Sequence, residues 1–398
     1  MRILQINSVC GRGSTGRIAT DIADNLRAEG HECRIAYGRY DVPEKYRDIS
    51  VRIGADWDVC LHGAQTRLFD AHGFGSRHAT EKFLDWVWKY DPDVIHLHNI
   101  HGYYINIELL FDYLKTAQKT VIWTLHDCWP FTGHCSYFTV VKCEQWRIHC
   151  SYCVQKKSYP GCLLWSNSNG NFDRKRAAFT GVKNMTLITP SEWLSGIVGE
   201  SFLREYPVRV IPNGIDLTVF HPTTGDFRST RGLEGKKIAL GVANVWDENK
   251  GLSDLITLSR LLNPSWQIVV VGLNKKQMKV LPSNMIGIRR TNNTRELAEI
   301  YTTADVFVNP TYQDNFPTTN LEALACGTPV VTYRTGGSPE AIDESCGIVT
   351  EHGPAFLAEA LPRLKCSREA CLKRAMLFER NKRFGEYIEL YRAVKGGL

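Results

Sequence analysis

Two carboxylates stand eight residues apart in the stretch TYQDNFPTTNLEALACGTPV, residues 311–330: Asp314 on what reads as a loop and Glu322 near the start of a short helix. Both suit the acceptance of hydrogen bonds from a polyol such as a sugar. Pro317 with Thr318 and Thr319 is the composition expected where a helix begins. The first-turn N–H groups of such a helix have no internal partners, so they can hold an anion such as a phosphate. A second stretch offers complementary charge. Lys250-Gly251 precedes a helix and joins a mobile ammonium to free amides, which suits a diphosphate. Taken singly, each stretch is also compatible with an ordinary helix start.

Further candidates lie in the first half. Strands at residues 92–98 and 120–125 end in His98 and in His126-Asp127. Residues at the carboxyl ends of parallel strands face the ligand crevice of such sheets, so His98 and His126 are site candidates by position. Gly11, Gly13 and Gly16 in CGRGSTG fit the spacing of a dinucleotide-binding turn. That turn wants an acid at the end of the following strand, where Tyr37-Gly38-Arg39 has none. A Gly-rich turn at a helix start still lets backbone approach a ligand closely.

Residues 128–162 hold Cys128, His134, Cys135, Cys143, His149, Cys150, Cys153 and Cys162. The segment lacks helix or strand periodicity and needs a staple. Structural zinc takes four soft ligands in a tetrahedron. The expected set is Cys135, Cys143, Cys150 and Cys153, with His134 or His149 as a substitute; buried reduced thiols, a disulfide and an iron–sulfur cluster are the alternatives.

These residues must be carried by something regular. Residues 2–9, a helix with Ile18, Ile22 and Leu26, and residues 33–37 read as a βαβ opening. Phe83, Trp86, Val87 and Tyr90 fit the apolar face of a helix. Further strands are expected at residues 184–190, 237–242, 267–272 and 304–310, and a helix over residues 370–395. Asn213-Gly214 in RVIPNGID reads as a tight turn with positive φ. The alternation over both halves implies an α/β protein of two doubly wound, Rossmann-like domains facing across a cleft. The expected boundaries are residues 1–216 with the Cys-rich insertion at 128–162, residues 217–375, and a terminal helix over 376–398.

A chain of 398 residues with 43% hydrophobic content has room for two cores. The net charge of +6 suits anionic substrates or weak attraction to an acidic membrane surface, and is no nucleic-acid footprint. Met1-Arg2 leads straight into a strand without a secretory leader pattern, and no apolar run is long enough to span a bilayer. A cytoplasmic protein is expected, with peripheral association at the inner membrane face as a further expectation. Thirteen cysteines then argue for thiols or metal ligands rather than disulfides.

The stretch from Asp314 to Gly327-Thr328-Pro329-Val330, together with Lys250-Gly251, resembles the signature of glycosyltransferase family 4. These are retaining enzymes of the two-domain GT-B build, and the likeness extends over nearly the whole chain. It departs at two points. The first acid is Asp314 where Glu is more usual, and Asn249 or Trp246 stands where the family pairs its lysine with an arginine. The resemblance implies a UDP- or GDP-sugar donor, no catalytic metal, and transfer to a lipid-linked or polysaccharide acceptor in capsule or exopolysaccharide biosynthesis. It implies that Asp314 contacts the transferred sugar and that Glu322 holds the ribose. Asn315 and the amides of Phe316, Pro317-Thr318 and Thr319 would hold sugar or pyrophosphate, with Lys250 neutralising the diphosphate. His126 would support the reacting face, and Gly13 and Ser14 would sit opposite the phosphates. Asn213 and Gly214 would mark a hinge near the donor, the base would lie by residues 290–292, and the last helix would cross back to the first domain. The Cys-rich loop resembles one in some bacterial exopolysaccharide glycosyltransferases. A nucleotide-sugar epimerase, a dinucleotide-dependent oxidoreductase and a non-enzymatic zinc scaffold are the other readings.

Overall fold

A computed structural model describes residues 1–396 of the chain. It divides into two compact units: residues 1–212 with the segment from Arg383 onward, and residues 213–382.

In the first unit the chain runs β1 (Arg2–Asn7), α1 (Gly13–Ala28), β2 (Glu32–Tyr37), β3 (Ser50–Arg52), α2 (Asp56–Phe69) and α3 (Arg77–Tyr90). It continues with β4 (Val94–Leu97), α4 (Ile107–Ala117), β5 (Thr120–Thr124), α5 (Ser168–Phe179), β6 (Met185–Thr189), α6 (Glu192–Glu200) and β7 (Val208–Val210). The seven strands form one parallel sheet in the order β3-β2-β1-β4-β5-β6-β7. Strand composition explains the burial. Neighbouring residues of one strand enter different cores: Leu4, Ile95, Val121 and Leu187 pack on one face, Ile3, Val94, Ile122 and Ile188 on the other. A sheet covered on both faces needs such continuous apolar runs, and each fully buried aliphatic side chain contributes about 1.5–3 kcal/mol.

The second unit holds α7 (Phe227–Thr230), β8 (Lys237–Val242), α8 (Leu252–Leu261), β9 (Trp266–Val271), α9 (Lys275–Val280), β10 (Met285–Ile288) and α10 (Thr294–Thr303). Then come β11 (Val306–Asn309), α11 (Thr318–Ala325), β12 (Val330–Tyr333), β13 (Gly347–Thr350), α12 (Pro354–Ala360) and α13 (Arg368–Met376). Its six parallel strands take the order β10-β9-β8-β11-β12-β13.

The C-terminal region expected to be one helix is two. α13 ends at Met376, and α14 (Arg380–Gly396) begins after a break in which Ile215 pairs with Glu379. α14 buries Phe384, Tyr387, Ile388, Leu390 and Tyr391 in a core of the first unit. The Tyr391 hydroxyl lies 2.6 Å from His96 Nδ1, and the Thr124 hydroxyl 3.3 Å from that of Tyr387. The last helix therefore returns to the first sheet. Asn213 and Gly214 differ from expectation: neither is among the residues with positive φ. Ile215 N donates to Phe378 O at 2.8 Å, which draws the segment out rather than into a tight turn.

Candidate functional site

The order of the second sheet places β8 beside β11, with β9 and β10 on the far side of β8. Connections from β8 and β11 thus leave in opposite directions, and a crevice opens at their carboxyl ends. The loop after β8 carries Lys250 and the loop after β11 carries Asp314. Tyr312 N donates to Asn249 O at 2.7 Å and ties the two loops together. Gly251 starts α8 at φ 73°, and a Cβ there would meet Pro310 O at 2.2 Å. Glycine is the residue that allows both the left-handed conformation and this close approach. Lys250 Nζ then reaches Asp314 Oδ2 at 2.6 Å, with 31% and 18% of the two side chains exposed. Burial works against the ammonium, but the Asp314 charge and hydrogen bond outweigh it, so the lysine pKa is raised and the group stays cationic. The missing family arginine has no replacement in this loop. Trp246 is buried with its Nε1 donating to Val271 O at 2.8 Å, and Asn249 is engaged with Tyr312 and Thr311.

α11 begins at Thr318 after Pro317, with no side-chain cap on its amino end. Glu322 lies in the second turn and is 6% exposed, and Tyr301 donates to its Oε2 at 3.0 Å. An asparagine chain holds the helix to the sheet. Asn309 donates to Asn320 Oδ1 at 2.8 Å, and Asn320 donates to Ser338 Oγ at 3.0 Å. Asn213 Nδ2 donates to Phe316 O at 3.1 Å, so the residue expected near the donor does touch the Asp314 loop. Residues 290–292 follow β10 at the outer end of the same sheet edge, where Asn292 is bonded to Glu296 of α10.

Asp254 of α8 receives the Tyr312 hydroxyl at 2.7 Å and a short hydrogen bond from Tyr333. This carboxylate fixes α8, the Asp314 loop and β12 to one another. Sequence reasoning missed it because the two tyrosines read as core. The one available signal was an acid in the first turn of the helix that follows Lys250-Gly251. Tyr301 was missed for the same reason.

In the first unit, His98 and His126 follow β4 and β5. His98 Nε2 lies 2.9 Å from Gln5 Oε1, and His98 Nδ1 lies 3.2 Å from His126 Nε2. With the amide oxygen accepting, His98 carries its proton on Nε2, and His126 Nε2–H donates to His98 Nδ1. Burial pushes the His126 pKa down to about 4, with Asp127 opposing, and drives His98 well below its ordinary value. Both are neutral imidazoles at neutral pH. The unpredicted neighbour is His101, whose Nε2 lies 2.9 Å from Asp127 Oδ2 and whose Nδ1 lies 3.3 Å from the Tyr159 hydroxyl. Burial raises the Asp127 pKa, but His101 and the Trp129 N–H outweigh it and the net shift is downward. Gly13, at φ 63°, and Ser14 open α1 at the end of β1, both exposed.

The Cys-rich segment has little regular structure, as expected, but zinc is not supported as its staple. Cys135, Cys143, Cys150 and Cys153 line one cavity of about 20 Å³ beside His134. Yet no three His, Cys, Asp or Glu side chains among the described residues are grouped to hold a metal ion. The alternative ligands are engaged elsewhere, His134 Nδ1 with Asp70 at 2.6 Å and His149 with Asp173 at 3.0 Å. Packing and a buried cation contribute to holding the segment. Phe138 stacks on Trp146 at 4.7 Å and Phe131 lies 5.6 Å from the same ring. Lys175 Nζ donates to Trp129 O at 2.8 Å and Thr132 O at 3.0 Å, 3.5 Å above the Trp129 ring.

Two family models match the chain: glycosyltransferase family 4 over residues 15–219, and glycosyl transferases group 1 over residues 236–366. A putative colanic acid biosynthesis glycosyl transferase, WcaC, of Escherichia coli (strain K12) is 24% identical over 363 residues, covering 87% of this chain and 86% of the relative. Sucrose-phosphate synthase from Thermosynechococcus elongatus superposes with a TM-score of 0.74 at 17% identity, covering 100% of both chains. The Anabaena protein Alr3699/HepE in complex with UDP-glucose superposes at 0.65 with 13% identity, covering 98% of this chain and 99% of that one. These likenesses show the GT-B fold. With the family model spanning more than half of its length, the chain belongs to glycosyltransferase family 4 and is a glycosyltransferase.

Proposed function

We propose that the chain moves a sugar, with retention of anomeric configuration, from a UDP- or GDP-sugar to a lipid-linked or polysaccharide acceptor of exopolysaccharide biosynthesis. The observation that carries this reading is the Lys250–Asp314 contact at the switch point of the second sheet. A cation and a hydroxyl-binding carboxylate stand there together, beside the uncapped amino end of α11. The departing diphosphate needs charge neutralisation, and preorganised donors supply it most effectively in a partly dry site. Lys250 and the N–H groups of Phe316, Thr318 and Thr319 fill this role, with Pro317 shaping the turn and Asn315 beside them. Asp314 orients the transferred sugar and Glu322, steadied by Tyr301, takes the ribose. UDP-glucose bound to Alr3699/HepE supports a nucleotide-sugar donor, and the WcaC relative supports a surface-polysaccharide acceptor.

The carboxyl edge of the first sheet is then the acceptor side. His126 is neutral, so it serves as a hydrogen-bonding partner of the sugar, not as a cation. No helix among the described residues is long and apolar enough to cross a membrane. Peripheral contact with a lipid surface fits the exposed Leu163, Leu164 and Trp165 near Lys156 and Lys157. The test is a donor screen by thermal shift with nucleoside diphosphates, followed by hydrolysis of the matching nucleotide sugar. We expect one diphosphate to stabilise the protein, and Glu322→Ala to remove donor turnover with the fold intact. Wild-type turnover in that variant refutes the assignment.

A further inference from the structure

One groove in the first unit takes no part in the site described above. It opens beyond the carboxyl end of β3, between the start of α2 and α3, with a volume of about 420 Å³. That lies within the roughly 300–1,000 Å³ of small-molecule sites. Arg52, Trp57, Asp58, Lys82 and Trp86 line it. Trp57 is 63% exposed, an unusual position for an indole on α2. Trp86 is held by neighbours of its own helix, stacked 6.0 Å from Phe83 and 5.0 Å from Tyr90. Asp58 is fixed by the Ala55 N–H at 2.8 Å.

Two indoles and a set of donors and acceptors match the chemistry of a sugar ring, which offers C–H faces to an aromatic and hydroxyls to charged side chains. The charges also choose among ligands. Of the lining charges, Arg52 is paired with Asp56 outside the groove, Lys82 is offset in sign by the lining Asp58, and His78 lies 3.8 Å from Glu81. This near balance gives no pull on a polyanion or an anionic bilayer, and it suits a neutral polyhydroxylated ligand.

Position supplies the second argument. The groove shares the carboxyl edge of the first sheet with His98 and His126. From β3 to β5 the order β3-β2-β1-β4-β5 makes four steps, or roughly 19 Å at about 4.8 Å per strand. A short run of sugar rings covers that span. We propose that this groove binds the distal residues of a neutral oligosaccharide acceptor whose terminal sugar lies at the ends of β4 and β5. The inference rests on the glycosyltransferase reading of the first unit and adds a subsite and a ligand class to it.

The test is saturation-transfer NMR on the full chain with neutral tetra- to hexasaccharides of the cello, malto and manno series. Trp57→Ala and Lys82→Gln are run in parallel, and UDP and anionic phospholipid vesicles serve as further probes. We expect one series to bind and Trp57→Ala to weaken it about two- to tenfold, the range of an aromatic contact. Binding of UDP should be the same in all three proteins. The proposal is overturned if no series binds while UDP does, if both variants bind as the parent does, or if Trp57→Ala affects vesicles alone. Failure of the unaltered protein to bind any nucleoside diphosphate would instead count against the donor site, which the saccharide titration does not use.

Discussion

Lys250 Nζ and Asp314 Oδ2 lie 2.6 Å apart, on loops that follow two adjacent strands, β8 and β11, of one sheet. The two side chains satisfy each other, so a diphosphate that takes the ammonium must compete with the carboxylate. This separates two variants that a purely additive view would merge. Lys250→Ala should weaken nucleoside diphosphate binding about 10- to 100-fold, the value of a charge-assisted hydrogen bond. Asp314→Asn should leave that affinity equal or tighter, because the lysine is released, while sugar transfer falls sharply. Calorimetric titration of both variants, beside an activity assay, checks the pair. Equal weakening of diphosphate binding by both substitutions contradicts it.

Tyr301 donates to Glu322 and so holds its carboxylate in place. Tyr301→Phe removes one hydrogen bond and should cost about 1 kcal/mol of stability. A carboxylate left free to turn should raise the KM for the donor several-fold while kcat changes less. Steady-state kinetics with varied donor separates the two. A variant with lower kcat and unchanged KM would assign the tyrosine a different part.

Asp254 accepts from both Tyr312 and Tyr333, and it ties α8 to the loop that carries Asp314. Asp254→Ala leaves two phenols without their acceptor. The expected loss is about 2–4 kcal/mol, since the buried Tyr333 orphaned this way costs about 1–3 kcal/mol and the half-buried Tyr312 only about 1 kcal/mol. Tyr333→Phe should cost less, because it removes donor and demand together. Chemical denaturation of the two variants gives the comparison, and equal losses would show that the carboxylate does not work as a shared acceptor.

Much of this site was legible because strand-loop-helix units have local signatures. Gly251 and Pro317 mark turns, and Lys250, Asp314 and Glu322 are polar residues where apolar strands give way. The sheet order that makes β8 and β11 neighbours is a long-range property, as is the link from Tyr301 to Glu322. Neither leaves a local pattern. The zinc expectation for Cys135, Cys143, Cys150 and Cys153 is not supported: the four line one cavity, but no three His, Cys, Asp or Glu among the described residues are grouped to hold a metal ion. Cysteine spacing alone cannot show that His134 is spent on Asp70, or that Lys175 anchors the loop through Trp129 and Thr132. Asn213-Gly214 was misread in the same way. A sequence-local turn preference yielded to a backbone bond from Ile215 to Phe378, which is remote in sequence.

Acid should destabilise the first unit through its neutral histidines. Burial pushes His62 to about 4, His96 to about 3 and His126 to about 4, all below the ordinary value of 6.5. In the unfolded chain these groups bind protons below about 6.5, and in the folded chain only near or below about 4. The unfolded state therefore holds more protons in that window, so stability is fully present above about 6.5 and drains away as the pH falls toward 4. Each fully contributing group adds up to about 1.4 kcal/mol per pH unit. The three together set an upper bound of about 4 kcal/mol per unit, less for the half-buried His126. Eight of the ten tryptophans belong to the first unit, so their emission reports on it. Urea midpoints should fall between pH 7 and pH 5, a range in which ordinary carboxylates have scarcely begun to titrate. His96→Gln should flatten the slope by the share of one proton, and a midpoint independent of pH over that range would show that these imidazoles are protonated in the folded protein.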